Sequence, residues 1–151
     1  MICKGGTAVS STPSWVCERE GRVVTRVPHI LIVEDQTNTA EMLTTYLRGQ
    51  GYEVTTVGWG RDALAFVEGT IPDLVLLDIR LPDIDGYEVC RRLRIRQRTK
   101  DIPVIFLTER RGREDKLMGL ATGAVDYITK PFDVQELRLR VQNVLHHLSR
   151  R

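Results

Sequence analysis

One apolar strand that ends directly on a carboxylate constrains this chain more than any other feature. The strand is predicted over residues 73–77, where every residue from Leu74 to Leu77 is apolar, and Asp78 follows at once. Side chains alternate between the two faces of a strand, so a strand that is apolar throughout is buried on both faces, as in the middle of a parallel sheet. Asp78 is therefore expected at a strand end, where its carboxylate is placed to react or to bind a metal ion.

Polar side chains that can form one site with Asp78 follow three other predicted strands. In chain order they are Glu34, Asp35, Thr108 and Lys130. The carboxyl ends of parallel strands lie at the same edge of a sheet, and open α/β sheets bind their ligands at that edge. Two further carboxylates beside Asp78 would repel it unless a cation lies among them, and oxygen ligands of this kind suit Mg²⁺. The pattern predicts a single site at four strand ends, with a divalent metal ion as the neutralising cation.

Length and composition indicate one domain with a single core. The chain has 151 residues, of which 42% are hydrophobic and 28% are charged, and this is enough apolar material for one ordinary domain. The formal net charge of +2 is too small to mark the whole molecule as a binder of nucleic acid or acidic membranes. Cys3, Cys17 and Cys90 show no metal-binding spacing, so free thiols and a cytoplasmic location are predicted. No stretch approaches the roughly 20 apolar residues of a membrane span, and no membrane association is expected.

Apolar segments alternate with amphipathic ones from residue 28 onward, which is typical of repeated strand–helix units and a parallel sheet. Strands are predicted at residues 29–33, 52–57, 73–77, 104–107 and 126–129, and helices at 37–49, 61–68, 86–98, 113–121 and 134–148. Gly112 and Gly119 weaken the fourth of these helices by about 1 kcal/mol each relative to alanine, so it is expected to be short. Residues 1–27 show no sustained period and are predicted to form a weakly ordered extension before a domain at 28–151.

Four motifs of this sequence resemble those of the receiver domain of bacterial two-component response regulators. They are Ile-Leu-Ile-Val-Glu-Asp at 30–35, Asp-Leu-Val-Leu-Leu-Asp-Ile-Arg-Leu-Pro at 73–82 with Asp85-Gly86, Ile-Pro-Val-Ile-Phe-Leu-Thr at 102–108, and Gly-Ala-Val-Asp-Tyr-Ile-Thr-Lys-Pro-Phe at 123–132. The resemblance extends from His29 to about Arg150. It implies a flavodoxin-like, doubly wound (βα)5 three-layer sandwich whose parallel strands have the order 2-1-3-4-5, as in the chemotaxis regulators.

The resemblance also implies the chemistry of a phosphorylation switch. Asp78 would take a phosphoryl group from the phosphohistidine of a sensor histidine kinase or a phosphotransfer protein. The ligands of Mg²⁺ would be Glu34, Asp35, Asp78 and the main-chain carbonyl oxygen of Arg80. Lys130 and Thr108 would contact the transferred phosphoryl oxygens. Such a protein catalyses only its own phosphorylation and dephosphorylation, so a turnover enzyme is not expected.

Thr108 and Tyr127 are the switch residues that the resemblance implies. An acyl phosphate on Asp78 adds charge and acceptor oxygens, which would draw Thr108 inward and let the ring of Tyr127 follow. The responsive face would be formed by the fourth helix, the fifth strand and the fifth helix, and a phosphorylation-linked homodimer would use the same face. Tyr127 also has a plainer interpretation, as an ordinary half-buried aromatic residue of a strand.

Two positions depart from the family pattern. Glu109 stands where the family usually has a small residue, and we expect its carboxylate, unless an arginine such as Arg80 pairs with it, to slow phosphorylation by small donors. Val125 stands where family members that dimerise often carry an aspartate. Asp126 and Arg140 therefore remain as the candidate partners for ion pairs across a dimer.

The arginine-rich segment at residues 91–100 is predicted to be a solvated helix face. It lacks the interleaved aromatic side chains of a nucleic-acid surface, and spread basic residues bind phosphates only non-specifically. We therefore expect no direct nucleic-acid binding by this domain.

Three other functions remain open from the sequence. One is a receiver that controls an output domain following Arg151 in a larger regulator. Another is an interaction module that works without phosphorylation, although such a module would normally have lost the acidic residues or Lys130. The third is a small phosphatase or phosphotransferase with Asp78 as its nucleophile. Against this third function, Arg80 occupies the position of the aspartate that haloacid-dehalogenase-like enzymes use as general acid.

Overall fold

Five parallel strands form the central sheet. The computed structural model describes residues 17–19, 22–24, 27–108, 123–124 and 126–149. The strands are β1 (His29–Val33), β2 (Glu53–Val57), β3 (Leu74–Asp78), β4 (Val104–Thr108) and β5 (Asp126–Thr129). Their order is β2-β1-β3-β4-β5, and every neighbouring pair is parallel. The predicted order 2-1-3-4-5 is confirmed, and β3 lies in the middle of the sheet, as its apolar sequence indicated.

Helices cover both faces of this sheet. They are α1 (Thr37–Gly49), α2 (Gly60–Gly69), α3 (Gly86–Arg94) and the last helix (Val134–Ser149). Leu43 of α1 and Leu137 of the last helix pack in one core cluster, whereas Val67 of α2 and Val89 of α3 pack in the other. The predicted three-layer sandwich is confirmed, and none of these described helices has the length and apolar composition of a membrane span. The helix predicted at 113–121 lies outside the described residues.

The alternation of side chains along the central strands divides the buried apolar residues into two clusters, one on each face of the sheet, whereas a single core was predicted. Ile30 and Ile32 of β1 belong to the cluster with α1 and the last helix, while Leu31 and Val33 belong to the cluster with α2 and α3. Each buried aliphatic side chain contributes about 1.5–3 kcal/mol through the removal of apolar surface from water. Burial on both faces specifies the register of β1 strongly, and with it the position of Glu34 at its end.

Helix α3 ends at Arg94, so the predicted end at residue 98 was wrong. The hydroxyl of Thr99 donates a 2.6 Å hydrogen bond to the carbonyl of Leu93, and Thr99 is buried. This bond satisfies a carbonyl that a longer helix would have used, and the chain leaves the helix there. The arginines of this segment favour a helix locally, whereas the Thr99 contact depends on the packing of the whole domain.

A short antiparallel pair of strands lies within the amino-terminal extension. Its strands are Cys17–Arg19 and Arg22–Val24, with Cys17 paired to Val24. The two strands form a sheet of their own, separate from the central sheet. The sequence predicted no element here, because strands of three residues are too short to show a period.

Gly86 is required where α3 begins directly beside the end of β3. Its N–H donates a 2.8 Å hydrogen bond to the carbonyl of Ile79, and an added Cβ would press on the main-chain oxygen of Asp78 and lie 2.9 Å from Cα of Ile79. Both neighbours are backbone atoms that cannot move aside. We expect Gly86→Ala to lower the free energy of unfolding by about 1–3 kcal/mol, the usual effect of overpacking.

Gly69, the last residue of α2, provides the matched control for this prediction. A Cβ at Gly69 would meet no atom within 4 Å, so Gly69→Ala is expected to change stability by less than about 0.5 kcal/mol, or to stabilise slightly. Urea denaturation of the two variants and the wild type measures the difference. Equal unfolding free energies for the two alanine variants would contradict the close approach at Gly86.

Candidate functional site

Three charged side chains from three strand ends meet at the carboxyl edge of the sheet. The Nζ atom of Lys130 lies 2.6 Å from Oε1 of Glu34 and 3.3 Å from Oδ2 of Asp78. All three residues are buried, with 3% of Glu34, 6% of Asp78 and 8% of Lys130 exposed. One ammonium group therefore bridges two carboxylates in a site largely shielded from water.

Strand register explains why these residues meet. The final residues of the β1–β3 ladder pair directly, so Glu34 and Asp78 follow side by side. On the other side of Asp78, Thr108 pairs with Thr129 at the ends of β4 and β5, and Lys130 leaves the sheet immediately after this pair. The backbone of Thr108 thus lies at the edge that carries the site, while its side chain lies outside the described part of the structure.

Backbone N–H groups hold the two buried carboxylates from the loop side. Oε2 of Glu34 accepts a 3.1 Å hydrogen bond from the N–H of Gln36, and Oδ1 of Asp78 accepts a 3.2 Å hydrogen bond from the N–H of Arg80. Each carboxylate therefore binds Lys130 with one oxygen and the backbone two residues onward with the other. The side chain of Arg80 is exposed, and ligation by its carbonyl oxygen stays a prediction.

The acidic residues predicted as metal ligands lie together. Glu34, Asp35 and Asp78 each offer a carboxylate oxygen, and these oxygens lie within 4.8 Å of one another. Asp35 is exposed, whereas the other two are buried, so the cluster opens to solvent on the side of Asp35. Oxygen donors in this number and charge fit a hard divalent cation such as Mg²⁺.

Burial and the ion pairs move the pKa values of Glu34 and Lys130. Burial raises the pKa of the Glu34 carboxyl, and the negative charge of Asp78 adds to this effect, although the hydrogen bond from Lys130 opposes it. Burial lowers the pKa of Lys130, but its hydrogen bond to Glu34 and the charges of both carboxylates outweigh burial and raise it. Two buried carboxylates surround the ammonium of Lys130, so the charged form of Lys130 is favoured.

Tyr127, a residue of β5, lies in the hydrophobic core. It pairs in register with Phe106 of β4, is 8% exposed and belongs to the cluster with α2 and α3. It is therefore more deeply buried than the half-buried strand residue of the plainer interpretation. Its role as a switch stays a prediction.

Two aspartates of the loop after β3 were not among the predicted site residues. Asp85 caps α3 by accepting a 2.9 Å hydrogen bond from the N–H of Glu88, and the Asp-x-x-Glu spacing is a capping signal that could have identified it. Asp83 accepts hydrogen bonds from the N–H groups of Gly60 and Arg61 at the start of α2. No local pattern indicates the contact of Asp83, because its partners lie in another loop.

The arginine-rich segment forms bonds within the chain. Hydrogen bonds from Arg91 and Arg92 hold the pKa of the Glu88 carboxyl at about 2, and Arg96 lies 3.1 Å from the carboxylate of Glu68. These guanidinium groups stay on the surface, which agrees with the predicted solvated face. The position of Glu109 and that of Val125 lie outside the described residues, so the expectations attached to them stay predictions.

Curated relatives match this chain over most of its length. One is the DNA-binding dual master transcriptional regulator RpaA of Synechocystis sp., 41% identical over 124 residues, which are 82% of this chain and 52% of RpaA. Another is the phosphate regulon transcriptional regulatory protein PhoB of Rhizobium meliloti, 42% identical over 119 residues, which are 79% of this chain and 52% of PhoB. The chain thus spans about half the length of the curated relatives it matches.

A solved structure and a family model agree with these relatives. The structure is the receiver domain of the sensor histidine kinase PA1611 from Pseudomonas aeruginosa, which has a magnesium ion coordinated in its active site cleft. It is 34% identical, with a TM-score of 0.74, and the match covers 80% of this chain and 98% of that chain. The family model described as response regulator receiver domain matches residues 30–142. The chain therefore belongs to the receiver domains of two-component response regulators.

Proposed function

We propose that Asp78 accepts a phosphoryl group from a phosphohistidine on a sensor histidine kinase or a phosphotransfer protein. The observation that carries the proposal is the surroundings of Asp78, a buried carboxylate that lies 3.3 Å from the ammonium of Lys130 and beside two further carboxylates. Reactive carboxylates need a nearby cation to balance the charge of an incoming phosphoryl group. Membership of the receiver family supports the same assignment.

The proposed transfer needs positioning and charge stabilisation rather than a further covalent group. One oxygen of Asp78 forms a bond to phosphorus while the P–N bond of the phosphohistidine breaks, and the imidazole leaves with the bonding electrons. Lys130 would balance negative charge on the transferred oxygens, because its ammonium already lies between Glu34 and Asp78. The product is an acyl phosphate, and its hydrolysis returns the carboxylate. Each molecule takes one phosphoryl group per cycle, so we propose a switch and not a turnover enzyme.

Mg²⁺ is the proposed cofactor of this transfer. Three carboxylates with oxygens within 4.8 Å of one another fit its preference for oxygen ligands, and the magnesium ion in the PA1611 receiver domain supports the choice. Its ligands would be Glu34, Asp35, Asp78 and the carbonyl oxygen of Arg80. When bound, Mg²⁺ would add positive charge beside the transferred phosphoryl group.

The proposed output lies outside this domain. The relatives RpaA and PhoB are named as transcriptional regulators, and the chain matches about half of each. We therefore propose that phosphorylation of this receiver controls an output function such as a DNA-binding domain of a larger regulator. Asp126 and Arg140 lie 2.6 Å apart within one chain, so a phosphorylation-linked homodimer that used these two residues for ion pairs between subunits would replace this contact.

Intact-protein mass spectrometry tests the proposed transfer. The protein is incubated with acetyl phosphate, and separately with phosphoramidate, which carries the P–N bond of a phosphohistidine, each with and without Mg²⁺. We expect a Mg²⁺-dependent gain of one phosphoryl group in the wild type and none in Asp78→Asn. Asp101→Asn is the matched control, because Asp101 is an exposed aspartate in the turn before β4, and it should behave as the wild type does.

The same experiment separates the alternative functions. A module that signals without phosphorylation would gain no mass from either donor, which would contradict the proposal. A phosphatase would also release phosphate from a phosphate monoester such as p-nitrophenyl phosphate, which the proposed switch does not use as a donor, and a phosphate assay detects that release. A gain that persists in Asp78→Asn would assign the acceptor to another residue.

A further inference from the structure

Asp83 joins the loop after β3 to the first turn of α2. Its Oδ1 accepts a 2.8 Å hydrogen bond from the N–H of Gly60, and its Oδ2 accepts another of 2.8 Å from the N–H of Arg61. The N-cap residue of α2 is Trp59, whose side chain provides no capping hydrogen bond. The first N–H groups of a helix need acceptors from outside the helix. Helix α2 is therefore capped by a residue that lies 23 positions after Gly60 and 22 after Arg61 in the chain.

Apolar packing reinforces this contact between loop and helix. A Cβ at Gly60 would lie 2.6 Å from Cγ1 of Ile84 and 2.9 Å from Cγ2 of Val89, so the start of α2 is pressed against the loop and α3. Partial burial opposes ionisation of Asp83, but the backbone hydrogen bonds from Arg61 and Gly60 outweigh it and lower the pKa. A charged carboxylate with two N–H donors and a close apolar contact hold the loop and the helix in one arrangement.

The loop that Asp83 anchors carries one half of the acidic site. It follows Asp78, the last residue of β3, and includes Arg80, whose N–H donates a hydrogen bond to the Asp78 carboxylate. The other half lies on the α2 side, where a Cβ at Gly58 would lie 3.8 Å from Cα of Asp35. The Asp83 contact therefore connects the loop of Asp78 to the turn that packs on the loop of Asp35.

We propose that Asp83 is a positioning residue that sets the Mg²⁺ affinity of the site by holding the loop of Asp78 and Arg80 against α2. This inference rests on the proposed function, which assigns Mg²⁺ to that site. Residues that orient the ligands of a metal, without touching it, change its affinity by about 10–100-fold when they are replaced. We expect Asp83→Ala to weaken Mg²⁺ binding by about tenfold, at the lower end of that range.

Titration calorimetry with Mg²⁺ alone measures this effect in the wild type, Asp83→Ala and Asp62→Ala. Asp62 is an exposed aspartate in the first turn of α2, so Asp62→Ala removes the same charge from the same end of the helix without breaking the contact between loop and helix. We expect Asp62→Ala to bind Mg²⁺ as the wild type does. An unchanged Kd in Asp83→Ala, or an equal weakening in both variants, would overturn the proposal.

A double variant separates loop positioning from helix capping. Trp59→Ser places a good capping side chain at the N-cap itself, where the backbone is already extended. Asp83→Ala alone should lower the free energy of unfolding, because α2 loses its cap. In Asp83→Ala combined with Trp59→Ser, we expect this lost stability to be restored while Mg²⁺ binding stays weak. Recovery of the wild-type Kd would mean that Asp83 is only a helix cap.

The phosphorylation assay distinguishes a failure of this inference from a failure of the proposed function. Wild-type protein that binds Mg²⁺ but gains no phosphoryl group contradicts the transfer, and the calorimetric comparison still decides the role of Asp83. Wild-type protein that is phosphorylated while Asp83→Ala keeps the wild-type Kd contradicts the role of Asp83 alone. Absence of Mg²⁺ binding by the wild type would overturn the role of Asp83 and the choice of Mg²⁺ as cofactor, and the mass measurement would still decide the transfer.

Discussion

Replacement of Lys130 by methionine is expected to slow the phosphorylation of Asp78 by about 100-fold or more, while the site still binds Mg²⁺. Removal of one charge-stabilising donor from a preorganised site typically costs 10²–10³ in rate, here about 100-fold at least. Methionine keeps much of the length of the lysine stem, so packing changes little. The ratio of the phosphorylation rates of the wild type and Lys130→Met therefore measures the contribution of the ammonium group, which lies 3.3 Å from Asp78.

The same substitution should destabilise the protein when Mg²⁺ is absent. Lys130 is the cation that pairs with Glu34 and Asp78, both buried, and removal of one partner of a buried pair typically costs about 3–5 kcal/mol. Mg²⁺ would replace the lost positive charge, so its addition should stabilise Lys130→Met more than it stabilises the wild type. Thermal unfolding of both proteins with and without Mg²⁺ measures this difference in stabilisation, independently of the phosphorylation rate.

Two variants control for the loss of charge and for the loss of a lysine elsewhere. Lys130→Arg keeps the positive charge and should retain more activity than Lys130→Met, although its fork does not match the single-point contacts of an ammonium. Lys100→Met removes an exposed lysine in the turn after α3 and should phosphorylate at the wild-type rate. Rates that are equal for Lys130→Met and Lys100→Met would contradict a role for Lys130 in the transfer.

The carboxylates and Lys130 could be predicted from the sequence because each follows a strand whose own pattern is unambiguous. The β3 sequence is apolar from Leu74 to Leu77 and the strand ends at Asp78, so its burial and its end are both local properties of the chain. Parallel strands then bring their carboxyl ends to one edge. The bridging position of Lys130 was not foreseen, since a metal ion was expected to neutralise the carboxylates and the structure places the ammonium between two of them.

Contacts between loops could not be predicted in the same way. An aspartate after a proline, such as Asp83, has the sequence of an ordinary turn, and nothing nearby indicates that its partners are Gly60 and Arg61. The end of α3 was predicted wrongly for a similar reason. The hydrogen bond from the hydroxyl of Thr99 to the Leu93 carbonyl depends on the tertiary packing of the segment after the helix. Local patterns therefore located the reactive groups, whereas their supports depend on tertiary structure.

The affinity for Mg²⁺ is expected to fall as the pH decreases from neutrality, and to begin falling at a higher pH than for exposed carboxylates. A protonated carboxyl is a poor ligand, so protons compete with the metal. Burial, followed by the charge of Asp78, raises the pKa of Glu34 above its ordinary value of 4.5 even though Lys130 opposes the shift. Below that raised pKa, each pH unit should weaken apparent binding by about tenfold.

A rise in pH has opposite effects on the stability of the metal-free protein and on the stabilisation that Mg²⁺ provides. Because the pKa of Glu34 is higher in the folded protein than in the unfolded chain, the metal-free protein holds this proton more tightly when folded. That contribution to stability is fully present below pH 4.5 and is lost as the pH rises through the folded pKa. Mg²⁺ binds the ionised form, so the stabilisation it provides should grow over the same pH interval.

Calorimetric Mg²⁺ titrations at several pH values above 4.5 test whether Glu34 is the group whose proton competes with Mg²⁺, and two variants serve in this test. Glu34→Gln removes the titrating group, so its Mg²⁺ affinity should be lower at neutral pH and should depend less on pH above 4.5 than that of the wild type. Glu41→Gln, at an exposed position of α1, should follow the wild-type curve. If Glu34→Gln showed the wild-type pH dependence, the competing proton would belong to another carboxylate, and the buried position of Glu34 would not govern metal binding.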